Sequence, residues 1–172
     1  MIAERAILVA KTLPRSRAHP PAAPQRQGRR ASPTGVADAE STLDELEELA
    51  RSAGAVVVGR LVQRSAATDG RYLIGAGKAA QLRDWCRDEA VDLVIFNANL
   101  TPAQTHHLDV LLGVKVVDRT QLILDIFSQR ARSREGQLQV ELAQLRYLLP
   151  RLTGKGTMLS RLGGGIGTRG PG

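Results

Sequence analysis

The stretch YLIGAGKAA (72–80) is the first place in this sequence where residue types and spacing suggest chemistry. Gly75, Gly77 and Ala80 fit G-x-G-x-x-A between an apolar run and a helical pattern. In a dinucleotide site such glycines let a pyrophosphate approach a helix N-terminus. Gly75, Gly77 and Lys78 are therefore candidate nucleotide-binding residues, and the competing reading is a tight strand–helix turn with Lys78 exposed. Asn97 stands where the ribose-binding acid of such a site is expected. The P-loop pattern G-x-x-x-x-G-K-[ST] does not occur. Gly77-Lys78 is followed by Ala79, and Gly154-Lys155 by Gly156, so neither offers a hydroxyl for magnesium. His106 and His107 are adjacent on a helical pattern, so their side chains diverge by about 100°. No cysteine pair completes a zinc set, and no metal site is expected. Cys86, beside Trp85 on an apolar face, reads as an inert buried thiol.

A second kind of chemistry lies near the end of the chain. Arg130, Arg132, Arg134, Arg146, Arg151, Lys155, Arg161 and Arg169 are accompanied by only two acids, Glu135 and Glu141. Guanidinium forks match phosphate oxygens. Gly163, Gly164, Gly165 and Gly167 let a backbone approach a nucleic acid closely, and their N–H groups can cup anions. The net charge of +7 is split: residues 37–128 hold fourteen acids against nine Lys/Arg, between two basic arms. Basic arms suit a polyanion partner, or else are solvated flexible ends.

Positioning these groups requires elements, and the patterns supply them. RAILVAKTL (5–13) reads as a strand, and the proline- and arginine-rich residues 14–36 as a disordered insert. A helix is expected from Ala39 to about Ser52, with Ser41 as cap, Leu43, Leu46 and Leu49 on one face, and Gly54 closing it. Strands are expected at 55–64, 71–75, 91–97 and 114–119, and helices at Lys78–Glu89 and from Thr101-Pro102 to Leu112, ended by Gly113. The alternation predicts an α/β fold: a small parallel or mixed sheet flanked by helices, followed by one long helix and a flexible glycine-rich tail. The corresponding segments are 1–13, 14–36, 37–119, 120–150 and 151–172.

The long helix is expected over about 30 residues, or ~45 Å, from Thr120 until Pro150 ends it. Leu122, Ile123, Ile126 and Phe127 are expected to pack on the sheet. Leu138, Leu142, Leu145 and Leu149 form a seam with the spacing of a helix that packs on another helix. Within the sequence no second helix long enough to cover that seam follows, so the stripe calls for a partner. No apolar run approaches the ~20 residues that cross a bilayer. The N-terminus lacks the pattern of a signal peptide, and a single cysteine excludes an internal disulfide; a cytoplasmic location is expected.

The run DRTQLILDIFSQRARSREGQLQVELAQLRYLLPRL (118–152), followed by SRLGGGIGTRGPG (160–172), closely resembles the HflX family of ribosome-associated GTPases. RAILV, GRLVQR, YLIGAGKAAQL and VIFNANLTPAQ occur in that family's order. The resemblance implies an N-terminal α/β domain, two long antiparallel helices joined by a glycine-rich loop, and then a G domain carrying GTP and magnesium. It also implies binding to the large ribosomal subunit and ribosomal RNA, ribosome splitting, and a loop, here Ser160–Gly172, that reaches toward the peptidyl-transferase centre. This sequence ends within that loop region, so the second helix, expected against the leucine seam, and the G domain would lie outside it, and no GTP hydrolysis is expected of this chain alone. Asn97 and Asn99 stand where the family usually has acids, and Lys155-Gly156 where an aromatic is common.

Overall fold

The computed structural model describes residues 3–12, 36–65 and 69–152, with backbone alone for 36–39. Most of the insert expected at 14–36, and the tail from residue 153 onward with Lys155, Arg161, Gly163, Gly164, Gly165, Gly167 and Arg169, lie outside the described residues. Four strands form one parallel sheet: β1 (Arg5–Thr12), β2 (Val56–Arg64), β3 (Leu93–Phe96) and β4 (Lys115–Asp118), in the order β2-β1-β3-β4. The helices are α1 (Val36–Ser52), α2 (Ala76–Asp88), α3 (Pro102–Leu112), α4 (Arg119–Arg130) and α5 (Arg134–Leu152).

The central strands are apolar throughout because both faces are covered. Side chains alternate between the faces with the period of two that a strand imposes. Ala6, Leu8, Ala10, Leu93, Ile95 and Val117 meet Leu43, Leu46 and Ala50 of α1 and Leu122 and Ile126 of α4. Ile7, Val9, Val94, Phe96 and Val116 meet Leu82 and Cys86 of α2 and Leu108 and Leu112 of α3. Helix α3 begins as its sequence dictates. Thr101 and Gln104 form a reciprocal capping box, Pro102 occupies the first turn, and Gly113 ends the helix at φ 67°.

The structure departs from the sequence expectations in five places. Helix α1 starts at Val36, so Ser41 lies inside it rather than capping it. Residues 71–75 form no strand. Asp69 accepts hydrogen bonds from the Arg71 and Tyr72 amides, and this turn leaves only an isolated bridge to Leu73, which sits at φ 66°. The long helix is divided at Ala131–Ser133, where Ala131 is extended (φ −65°, ψ 116°) and Ser133 Oγ accepts from the Gly136 amide. Phe127 does not reach the sheet and is 57% exposed, because α4 turns Leu122, Asp125 and Ile126 inward instead. Helix α5 continues past Pro150 to Leu152. Proline in a last turn forfeits one intrahelical donor, the one that would reach the Arg146 carbonyl, and in the same turn the Arg151 side chain donates to the Tyr147 carbonyl at 2.9 Å.

Candidate nucleic-acid interface

Helices α4 and α5 and the break between them carry the described arginines of the basic arm. Arg130 ends α4 and donates to Ser52 Oγ of α1. It borders an open groove of about 610 Å³ shared with Glu45, Glu48, Leu49, Arg51, Ser52 and Ile126. Arg132 lies in the break and Arg134 opens α5; Arg146 lies further along it. All three are exposed, and among the described residues none forms an ion pair or a hydrogen bond through its side chain. They are available to an anion arriving from solvent.

Arg151 has a different environment. Its side chain is only 11% exposed. It donates to the Leu100 carbonyl at 2.7 Å and to the Tyr147 hydroxyl at 2.8 Å, and its guanidinium lies 3.7 Å from the Tyr147 ring centre. Asp118 Oδ2 is 3.6 Å away and its side chain is 1% exposed. The same carboxylate accepts from the Tyr147 hydroxyl, from the Leu100 amide at 3.1 Å, and from the Gln121 amide at 2.9 Å, which caps α4. Burial, and next the hydrogen bond to Asp118, push the Tyr147 phenol well above its ordinary ionisation range. Arg151 is thus committed inside the fold, whereas its charge alone suggested a phosphate ligand.

The opposite side of α5 is apolar and open. At about 100° per residue, Leu138, Leu142, Leu145 and Leu149 share an arc of about 60°, and Gln144, Tyr147 and Arg151 an equal arc across the helix. The leucines are 57%, 48%, 57% and 67% exposed, as a seam awaiting another helix would be. On the inner side Gln144 donates to Asp125 of α4 at 3.0 Å.

The remaining candidates acquire no common site. Gly75 caps α2 on the edge strand's side of the sheet, and its amide donates to Gln63 Oε1 at 2.8 Å. Lys78 Nζ donates to Gln81. Among the described residues no strand leads directly into this turn, and its lysine is bonded locally. Asn97 accepts from Arg119 of α4, which also pairs with Glu45 of α1, so the position expected to hold a ribose-binding acid serves a structural bond instead. His107 makes an edge contact with Tyr72. Cys86 is buried, and burial raises its ionisation to about 11. The sequence reading missed Asp118 and Tyr147; Asp118, three residues before Gln121 and at a helix start, carried a legible cap signal.

Comparison with known proteins places this geometry. Residues 40–128 match the family model described as GTP-binding GTPase N-terminal, and residues 130–172 the GTP-binding GTPase middle region. GTPase HflX of Caldanaerobacter subterraneus subsp. tengcongensis is 59% identical over 133 residues, covering 77% of this chain and 31% of that protein. GTPase HflX of Escherichia coli K12 is 46% identical over 130 residues, covering 76% of this chain and 30% of that protein. The chain spans about a third of the length of these relatives. A GTP-binding protein from Sulfolobus solfataricus, solved in complex with GDP, shares the fold at a TM-score of 0.60 and 22% identity, over 90% of this chain and 40% of that one. The boundary between the two matched regions, at residue 129, falls at the end of α4, just before the break, and on both sides of it this chain belongs to the HflX family of GTPases.

Proposed function

We propose that this chain is the ribosome-docking portion of an HflX-type GTPase and contacts the RNA of the large ribosomal subunit in the cytoplasm. The observation that carries the reading is the set of exposed basic-arm arginines Arg132, Arg134 and Arg146, in the break before α5 and along it, which have no side-chain partner among the described residues. The segment 153–172, with Lys155, Arg161 and Arg169 among glycines, continues from that arm. Guanidinium groups bind phosphate as forks, and backbone contacts of this kind supply affinity without reading sequence. Arg130, bonded to Ser52, contributes long-range attraction more than a direct contact. Arg151, engaged within the fold, is left out of the contact set.

The exposed leucine seam supports the second half of the reading. A second, antiparallel helix of the full-length protein covers Leu138, Leu142, Leu145 and Leu149, and a G domain carrying GTP and magnesium powers splitting of the ribosome. In this division of labour the present chain holds the RNA and hydrolyses nothing itself. Replacing Arg132, Arg134 and Arg146 together with glutamate tests the first half. Co-sedimentation with purified large subunits is expected to fall at least tenfold while the far-ultraviolet circular dichroism stays unchanged. Undiminished co-sedimentation removes these arginines from the interface.

A further inference from the structure

We infer that buried Asp118 and half-buried Tyr147 and Arg151 form a clasp that sets how α5 stands on the α/β body, and that Arg151 is a positioning residue for the arm rather than a phosphate ligand. The inference rests on the docking reading above and deepens it. Helix α5 has 19 residues and none of them is buried. Val140, Ala143, Leu148 and Leu152 are half-buried, but non-directional apolar contacts of this kind tolerate a turn about the helix axis. Directional bonds fix it instead. The clasp draws on three elements: Asp118 at the β4–α4 junction, the Leu100 carbonyl before α3, and Tyr147 with Arg151 on α5. Gln144, one turn earlier, adds its bond to Asp125.

The outcome is a helix held by one polar stripe with its leucine seam turned to the other side. Arg146 flanks that seam. A rotation of 100° would carry the leucines toward the body and swing Arg146 with them. Arg151 is engaged within the fold. Both Nη2 hydrogens go to the Leu100 carbonyl and the Tyr147 hydroxyl, an Nη1 hydrogen goes to the Tyr147 carbonyl, and one face of the guanidinium lies on the tyrosine ring. Leu152, the last residue of α5, follows directly.

The test uses the whole chain as wild type, Tyr147→Phe, Arg151→Gln and Arg151→Lys. Binding to purified large ribosomal subunits is measured across a potassium chloride series, and amide hydrogen exchange is followed separately in the free proteins. Tyr147 is uncharged, so its hydroxyl cannot contribute to a count of phosphate contacts. The expected result is that Tyr147→Phe and Arg151→Gln each weaken binding by roughly fivefold, in proportion to the fraction of molecules with α5 docked. The slope of log affinity against log salt stays that of wild type. Exchange quickens in α5 and is unchanged in β1 and β3, and Arg151→Lys recovers part of the loss. A slope reduced by about 0.7–0.9 in Arg151→Gln, the signature of one lost phosphate contact, overturns the inference. So does wild-type binding by Tyr147→Phe, or α5 exchange that neither variant alters. If wild type itself ignores subunits, the docking reading fails, and the exchange measurement still decides whether the clasp holds α5.

Discussion

Replacing Asp118 exposes how much of the architecture converges on one carboxylate. In Asp118→Ala the Leu100 amide, the Tyr147 hydroxyl and the Arg151 guanidinium lose a shared acceptor, and α4 loses its cap at Gln121. Removing one partner of a buried ion pair costs about 3–5 kcal/mol, because the other charge stays buried without compensation. Losing a helix cap adds about 1 kcal/mol. Asp118→Asn keeps the shape and one acceptor oxygen but turns an amide donor toward groups that are donors themselves, for an expected loss of about 3 kcal/mol. Urea unfolding, followed by the fluorescence of the single tryptophan, Trp85, reads the change in midpoint. Trp85 packs over Gly59 of the edge strand β2, whereas Asp118 ends β4 at the opposite edge of the sheet, so a shift in the tryptophan transition reports global stability. The triple variant Asp118→Leu, Tyr147→Phe, Arg151→Met recovers much of the loss if the penalty is that of an orphaned charge. A loss below about 1 kcal/mol for Asp118→Ala refutes the view of Asp118 as the hub of a buried network.

Three further outcomes are expected. Gly59→Ala destabilises the domain by about 1–3 kcal/mol, because an added Cβ would lie 2.3 Å from Trp85 Cζ2, and Trp85→Leu in the same chain relieves most of that cost in calorimetric melting. Leu145→Gln changes stability by less than about 0.5 kcal/mol, since the side chain is 57% exposed, but reduces binding of a hydrophobic dye; a large drop in melting temperature would mean the seam is already packed. Cys86 ionises at about 11 in the fold against 9 when free, so its contribution to stability is complete below pH 9 and is lost as pH rises through 11. At pH 8 a thiol reagent should label native protein only as fast as it opens, and immediate labelling would contradict the burial.

Much of this fold was legible because the signals are local. The apolar run at 5–13, the Thr101-Pro102 start and Gly113 end of α3, and the leucine spacing on α5 each follow from a strand period, a cap or a helix period within one short stretch. What escaped was decided by partners distant in sequence or by competing local bonds. Arg151 read as a free cation because its acceptor Leu100 lies 51 positions away, and Tyr147 drew no reading because Asp118 lies 29 away. The break after α4 contains neither proline nor glycine; it rests on Ser133 capping the next helix, which a continuous apolar periodicity conceals. The strand expected at 71–75 gave way to the Asp69 turn. Sequence identified the basic arm, and the geometry then separated the exposed arginines at 132, 134 and 146 from the one at 151, whose side chain is 11% exposed.

The claim that the arm lies along ribosomal phosphates is tested most directly by titrating the 172-residue chain onto purified large subunits at several potassium chloride concentrations. Three or more arginine–phosphate contacts predict a straight line of log affinity against log salt with a slope of about −2 or steeper. Affinity that does not change with salt, or no association even at low ionic strength, would contradict the account.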